Sequence, residues 1–236
     1  MSDDVKHERD VLVTLADEAY LDAAKQLFSS AYRNSGWRGD YLFLSNGIAE
    51  EKLKWFTDRG IHVYRCEPLV QATYGKWPVS MISFLYLFDV YFKQWRSILY
   101  LDSDIIVRAS LDGILRYRGV SAAPMLFFKK MTLQKTLLPC YQNDEHILGE
   151  HSVRHRMFSV GVNCIDTAVI TDQTLTELKK FLSYNTIASA PEELAMSLFF
   201  HRRWKLLPTF YNMVPVRIIK KCRLRPEQVS GVVLHF

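Results

Sequence analysis

Short apolar runs alternate along this chain with stretches of helical spacing, and that rhythm sets the expected architecture. Val11-Leu12-Val13-Thr14-Leu15 is a β-type run. After it, Tyr20, Ala23, Ala24, Leu27, Phe28 and Ala31 recur with the period of one helix face. Asn34-Ser35-Gly36 stops that helix. Tyr41-Leu42-Phe43-Leu44 reads as the next strand, closed by Ser45-Asn46-Gly47. Residues 49–58 form a second helical pattern with Leu53 and Phe56 inward, and Ile61-His62-Val63-Tyr64 is a third strand. The order β-α-β-α-β predicts a parallel sheet with helices on its faces. Strands joined in this way run in one direction, so their carboxyl ends share one edge and can line one crevice.

A loop at residues 70–77 leads to residues 79–94, which read as a helix packed on the sheet. Ser97-Ile98-Leu99-Tyr100-Leu101 is a strand that ends in Asp102-Ser103-Asp104, and Ile105-Ile106-Val107 follows at once. Val120-Ser121-Ala122-Ala123-Pro124 is a strand of small residues. Residues 125–157 keep no clear period and are expected as loops and short helices. Residues 158–166 read as a strand containing Gly161. Residues 172–184 read as a helix with Leu175, Leu178, Phe181 and Leu182 on its core face. Pro191 opens another helix that runs to about His201. Residues 216–219 and 232–235 are expected as two closing strands. The fold class is α/β, Rossmann-like, with a mostly parallel central sheet flanked by helices.

Composition narrows the setting. The chain has 236 residues, enough for one large α/β domain or two small ones. The formal charge of +5 is mild, and Lys and Arg are scattered apart from Lys129-Lys130, Arg202-Arg203 and residues 217–225. Those clusters suit phosphates, an acidic glycan or a membrane surface; an ordinary solvated face is the alternative. Residues 1–10 lack the apolar core of a signal peptide. No run reaches the roughly 18 apolar residues of a membrane span, so a cytoplasmic home is expected. Cys66, Cys140, Cys164 and Cys222 form no CxxC and read as reduced, mostly buried thiols.

Candidate chemistry centres on Asp102 and Asp104. A strand interior has no cheap place for two carboxylates, whereas the carboxyl end of a strand is where open α/β sheets bind ligands. Two hard oxygen ligands there suit Mg or Mn, which can hold a diphosphate. The alternative is a solvated turn between two strands. No GxGxxG and no GxxxxGK[ST] occurs, so neither a dinucleotide-binding enzyme nor a P-loop ATPase is indicated. Phosphates would have to be held by a metal. Tyr20 offers a ring for a nucleobase, or packs on the inner face of its helix. Glu192 and Glu193 either favour the positive helix end or reach into the crevice. His151 and His155 have the spacing of a helical zinc pair but no HExxH context, and are taken as solvated or phosphate-facing.

These residues also resemble, in order, the landmarks of the family 8 glycosyltransferases, a GT-A fold group that includes glycogenin and bacterial lipooligosaccharide galactosyltransferases. Val13-Thr14-Leu15-Ala16-Asp17-Glu18-Ala19-Tyr20 is similar to the family's uridine-binding strand and turn. Leu99-Tyr100-Leu101-Asp102-Ser103-Asp104 resembles its YLDxD metal motif. Ala122-Ala123-Pro124 and Phe158-Ser159-Val160-Gly161-Val162 resemble its AAP and FNxGV segments. Leu207-Pro208-Thr209-Phe210-Tyr211-Asn212 resembles LPxxYN, and Leu234-His235-Phe236 its HF. Each is weak alone; their shared order and spacing carry the resemblance, which runs from about residue 11 to 236.

The resemblance implies one GT-A domain over residues 1–236, with a nucleotide-binding half at about 10–108 and an acceptor and catalytic half at about 109–236. It implies metal-dependent transfer of a hexose-type sugar from a UDP-sugar to a hydroxyl of a glycan, glycolipid or protein, with retention and without nucleic acid. Thr14, Leu15, Asp17 and Tyr20 would hold uridine, with Asp102 and Asp104 near the ribose. Ser103, Ala122, Ala123, Ser159 and Gly161 would complete the donor pocket. Asp102, Asp104 and His235 would bind Mn2+ or Mg2+. Glu192, with Glu193 second, would be the acid near the sugar, and Pro208 and Asn212 would wall the acceptor side. The chain departs from the pattern where Glu193 replaces an amide and where Ser159 and Ser197 replace asparagines. The family's basic residue before YLDxD falls at about Leu85 or Tyr86, with Lys76 as a candidate substitute, and its GxxKPW would lie beyond residue 236. The alternative function is a sugar-nucleotide-binding or scaffolding domain of the same fold without turnover. A haloacid dehalogenase-type phosphatase also uses Asp-x-Asp, but Ile105-Ile106 stands where that family has Gly-Thr or Gly-Val.

Overall fold

Strands that are apolar on both faces form the centre of the molecule. The computed structural model describes residues 9–71, 78–123, 157–186, 190–225 and 228–236. Strand β1 (Asp10–Ala16) is buried along its whole length, and so is β4 (Ser97–Leu101). Side chains alternate across a strand, so each strand feeds two cores. Val11, Val13 and Leu15 of β1 pack with Ile98 and Tyr100 of β4 against Ile82, Phe84 and Phe88. Leu12 and Ala16, with Leu99 and Leu101, face the other way. They meet α1 (Leu21–Asn34) through Ala24, Leu27, Phe28 and Ala31, and α2 (Glu50–Thr57) through Leu53 and Phe56.

With β2 (Asp40–Asn46), β3 (His62–Cys66), β6 (Val120–Ala122), β7 (Val162–Asp166) and β8 (Trp204–Leu206), the sheet has the order β3-β2-β1-β4-β7-β6-β8. The strands β3, β2, β1 and β4 are mutually parallel, as the sequence predicts. Strand β7 runs against both β4 and β6, and β8 is parallel to β6. A separate antiparallel ribbon pairs β5 (Ile105–Val107) with β9 (Val233–His235). Its register sets Ile105 opposite His235. That pairing brings the far end of the sequence to the carboxyl end of β4.

Several elements differ from their sequence reading. Residues 216–219 lie not in a strand but in helix α5 (Pro215–Cys222). Pro215 occupies the first turn, Pro215 and Ile218 are buried at helical spacing, and Lys220 and Lys221 favour the negative helix end. Residues 79–94 form two 3-10 segments, Val79–Phe88 and Val90–Gln94, rather than one helix. Asp89 between them is extended, and its carboxylate accepts from the Tyr91 N–H at 2.8 Å. The strand expected over 158–166 begins only at Val162. The helix expected over 172–184 is α3 (Thr174–Lys179) followed by a 3-10 stretch. The helix opened by Pro191 is α4 (Pro191–Phe199). Strand β8 went unread. Tyr20 stands before α1 and is 48% exposed; Leu21 takes the buried position.

The region at 125–156, Lys76, Lys129-Lys130, Pro124 and Cys140 lie outside the described residues. Cys66 and Cys164 are buried, and burial pushes both thiols up to about 12. Cys222 is exposed instead. Among the described residues no helix is long and apolar enough to cross a membrane.

Candidate active site

The carboxyl ends of β1 and β4 open into a cleft. Leu15, Ala16, Asp17 and Tyr20 line one side. Tyr100, Asp102, Ser103 and Asp104 lie across from them, Ser80, Met81 and Phe84 close another wall, and Val160 and Glu192 reach in from the second half of the chain. Asp17 shapes its own turn. One carboxylate oxygen accepts from the Ala19 N–H at 3.0 Å, and the other from the Ser80 hydroxyl at 2.8 Å. After that turn Tyr20 is half-exposed and lines the cleft.

Asp102 and Asp104 leave the end of β4 and meet His235 from β9. His235 Nε2 lies 3.2 Å from Asp104 Oδ1 and 3.6 Å from Asp102 Oδ2. A ligand atom from each of the three falls within 4.8 Å of the others. Tyr100 lies two residues before Asp102 on the strand, and its hydroxyl donates to Asp102 Oδ1 at 2.8 Å. Gly161 N-terminal to β7 makes room: a Cβ there would come within 2.7 Å of His235 Cε1 and 3.4 Å of Asp102 Oδ2. The Gly161 carbonyl accepts from the Asp102 N–H at 3.0 Å, which fixes the approach.

Electrostatics at this corner favour a cation. Burial pushes the Asp102 carboxyl up to about 6; His235 and the Tyr100 hydroxyl oppose that rise and Asp104 adds to it. Burial pulls the His235 imidazole down, but its hydrogen bond to Asp104 and the charges of Asp102 and Asp104 outweigh it, and the net shift is upward. Two hard carboxylates and one imidazole are a donor set for a divalent cation of the Mn2+ or Mg2+ type.

The first turn of α4 separates its two acids. Glu192 is 2% exposed, lines the cleft, and has a buried Oε2 without a hydrogen-bond partner. Burial pushes it up to about 7, with Asp102 adding to the shift. Glu193 is buried and does not line the cleft. Its Oε1 accepts from the Val160 N–H at 3.3 Å, and burial followed by the charge of Glu192 pushes it up to about 8. Ser197, fully buried, donates to the Glu193 carbonyl at 2.7 Å and accepts from the Phe158 N–H at 2.8 Å. Ser159 lies between Phe158 and Val160, and its own hydroxyl is buried without a hydrogen-bond partner. The three departures from the family pattern are therefore neighbours, and two of them, Glu193 and Ser197, tie residues 158–160 to α4.

Other expected site residues sit elsewhere. Thr14, Ala122 and Ala123 are buried and do not line the cleft. Pro208 begins a 3-10 turn at Thr209–Tyr211, and nothing places it against the cleft. Asn212, expected on the acceptor side, is fully buried and turned inward toward His235. Sequence reasoning missed Tyr100 and Ser80. Tyr100 was legible, because residues two apart on a strand share a face; nothing local marked Ser80.

Glu193 holds its proton more tightly in the folded chain than at its ordinary value of 4.5. Its contribution to stability is therefore full below about 4.5 and lost as pH rises through about 8. Glu193→Gln, which keeps a neutral side chain, is expected to melt progressively higher relative to the unmodified protein between about pH 5 and pH 8. Thermal melts in a pH series check this; a difference that does not change with pH contradicts it.

Comparison with known proteins places these features in a lineage. The family model described as "Glycosyl transferase family 8" matches residues 11–236. A lipopolysaccharide 1,2-glucosyltransferase of Escherichia coli is 28% identical over 74% of this chain and 50% of its own length, so the chain spans about half of that relative. An active-site mutant of LgtC superimposes with a TM-score of 0.72 at 16% identity, covering 96% of this chain and 86% of that one. The bifunctional glycosyltransferase WbbM gives 0.69 at 14% identity, over 97% of this chain and 45% of its own. The structural likenesses establish the GT-A fold. With the family model spanning nearly every residue from β1 to β9, this chain belongs to glycosyltransferase family 8.

Proposed function

We propose that the protein transfers a hexose-type sugar from a UDP-sugar donor to a hydroxyl of a glycan, glycolipid or protein acceptor, with retention and with Mn2+ or Mg2+ as cofactor. The observation that carries the reading is what lines the cleft: Asp102 and Asp104, which with His235 could hold a cation, and the half-exposed Tyr20 ring. A nucleoside diphosphate sugar offers a charged diphosphate to the first and the π-surface of a base to the second. The name of the E. coli relative supports a glycolipid acceptor, and LgtC has been captured with donor and acceptor sugar analogues.

In this reading Tyr20 stacks on uracil, and the Asp17 turn holds the ring in place. Asp102, Asp104 and His235 would hold the cation, which when bound neutralises charge on the departing diphosphate. The bond from the anomeric carbon to UDP breaks, a bond to the acceptor oxygen forms on the same face, and the acceptor's proton leaves with UDP. Glu192 faces the cleft with one oxygen unpartnered, so it is placed to orient sugar hydroxyls or to stabilise positive charge on the ring. The described cysteines are free thiols, which fits a cytoplasmic setting. Lys220 and Lys221 of α5 and Arg223 and Arg225 beyond it supply a basic surface for an anionic membrane.

Three substitutions test the layout. Asp104→Asn is expected to abolish the Mn2+-dependent gain in UDP affinity in calorimetry; an unchanged gain removes the cation site. Tyr20→Ala should weaken UDP binding by about 1–3 kcal/mol, as loss of base stacking does, with little change in melting temperature. Earlier melting with unchanged UDP affinity would return Tyr20 to a packing role. Glu192→Gln should keep UDP-sugar affinity and lose most transfer, because the group acts chiefly in the transition state. Transfer at the natural rate would send the search for the acid elsewhere. UDP-sugar binding with no UDP release by the natural chain would favour the scaffolding alternative.

A further inference from the structure

We propose that Asn212 is a positioning residue, holding the His235 imidazole in the tautomer that leaves Nε2 free to ligate the cation. This rests on the reading of Asp102, Asp104 and His235 as a cation site.

A chain of donors and acceptors carries the inference. The Ala123 carbonyl oxygen can only accept. The Asn212 amide lies 3.0 Å from it, so Nδ2 donates there and Oδ1 is left facing His235 Nδ1 at 2.9 Å. Oδ1 in turn can only accept, so Nδ1 carries the hydrogen. The other ring nitrogen, Nε2, is the one aimed at Asp104 and Asp102.

The arrangement is also held from outside. Asn212 is fully buried. Its neighbour Met213 bridges to the ribbon, donating its N–H to the Val233 carbonyl at 3.1 Å and accepting from the His235 N–H at 2.8 Å. Gly161 closes on the ring at Cε1 and Nδ1, with no space there for even a Cβ. The imidazole is thus set by backbone, by a close glycine and by one amide. An outer hydrogen bond of this kind fixes the orientation and raises the basicity of a metal-ligating imidazole, and its loss typically costs about 10–100-fold in metal affinity.

Two variants separate positioning from mere support. Asn212→Leu and Asn212→Asp both lose the donor to Ala123, but only the leucine loses the acceptor for His235. Calorimetry with Mn2+ alone gives the affinity, and electron spin echo modulation of the bound Mn2+ reports whether an imidazole nitrogen is coordinated. Asn212→Leu is expected to lose about 10–100-fold in Mn2+ affinity together with the nitrogen coupling, while Asn212→Asp keeps the coupling and most of the affinity. A folded leucine variant that binds Mn2+ like the natural chain overturns the proposal. So does an equal loss in both variants, which would assign the effect to the Ala123 bond. If the natural chain binds no Mn2+, the cation reading fails and the positioning role falls with it. Should the leucine variant not fold, nitrogen NMR of the natural chain loaded with Cd2+ decides: Nε2 on the metal and Nδ1 protonated is the expected result, and metal on Nδ1 overturns the proposal.

Discussion

Two carboxylates one residue apart at the end of a buried strand repel each other and resist leaving water. Everything around β4 answers that constraint. Burial already pushes the Asp102 carboxyl up, so it needs partners to stay charged there. The Tyr100 hydroxyl donates to Asp102, and the His235 ring faces both carboxylates. His235 reaches them only because β9 pairs with β5 in one register, since a shift by one residue would turn its side chain to the opposite face. The close approach in turn requires a glycine at position 161.

The sequence was most legible where local pattern and tertiary burial agree. Strands β1 and β2 show as apolar runs because both of their faces meet a core, and helices α1 and α2 show their period because each packs one face on it. Residues 79–94 do not, since seven buried residues in Val79–Phe88 leave no polar face from which a period can be read. Val216, Ile218 and Ile219 suggest a strand by residue type, yet Pro215 starts a helix and the Lys220-Lys221 pair suits its end. Asp102 and Asp104 drew attention by themselves. His235 did not: its meaning lies in a pairing across more than half of the chain, which only the resemblance to a family supplied. Asn212 was legible as part of a motif but not in its task, because a hydrogen bond to a distant ring leaves no trace in local spacing.

The departures at Ser159, Glu193 and Ser197 look unrelated along the sequence and are adjacent in space. Glu193 is held protonated at neutral pH by burial, so its side chain presents one donor and one acceptor, as an amide does. Ser197 binds the backbone on both sides of the junction. Substitutions among these positions share partners, and their effects will not add. Glu192 escapes that network and keeps an oxygen toward the cleft.

The cation site is divided between two pieces of very different strength. Asp102 and Asp104 extend from a strand paired on both sides within a seven-stranded sheet. His235 belongs to a three-residue strand paired with β5, of equal length, and bridged on its other side only at Met213. Short ribbons of this kind open more readily than a sheet interior. A ligand bridging the two binds only the closed form, so occupancy and closure are linked, and each raises the population of the other. On the proposed reading the ribbon would work as a latch: a filled corner would hold it shut, and release of that corner would let it loosen as the cleft empties.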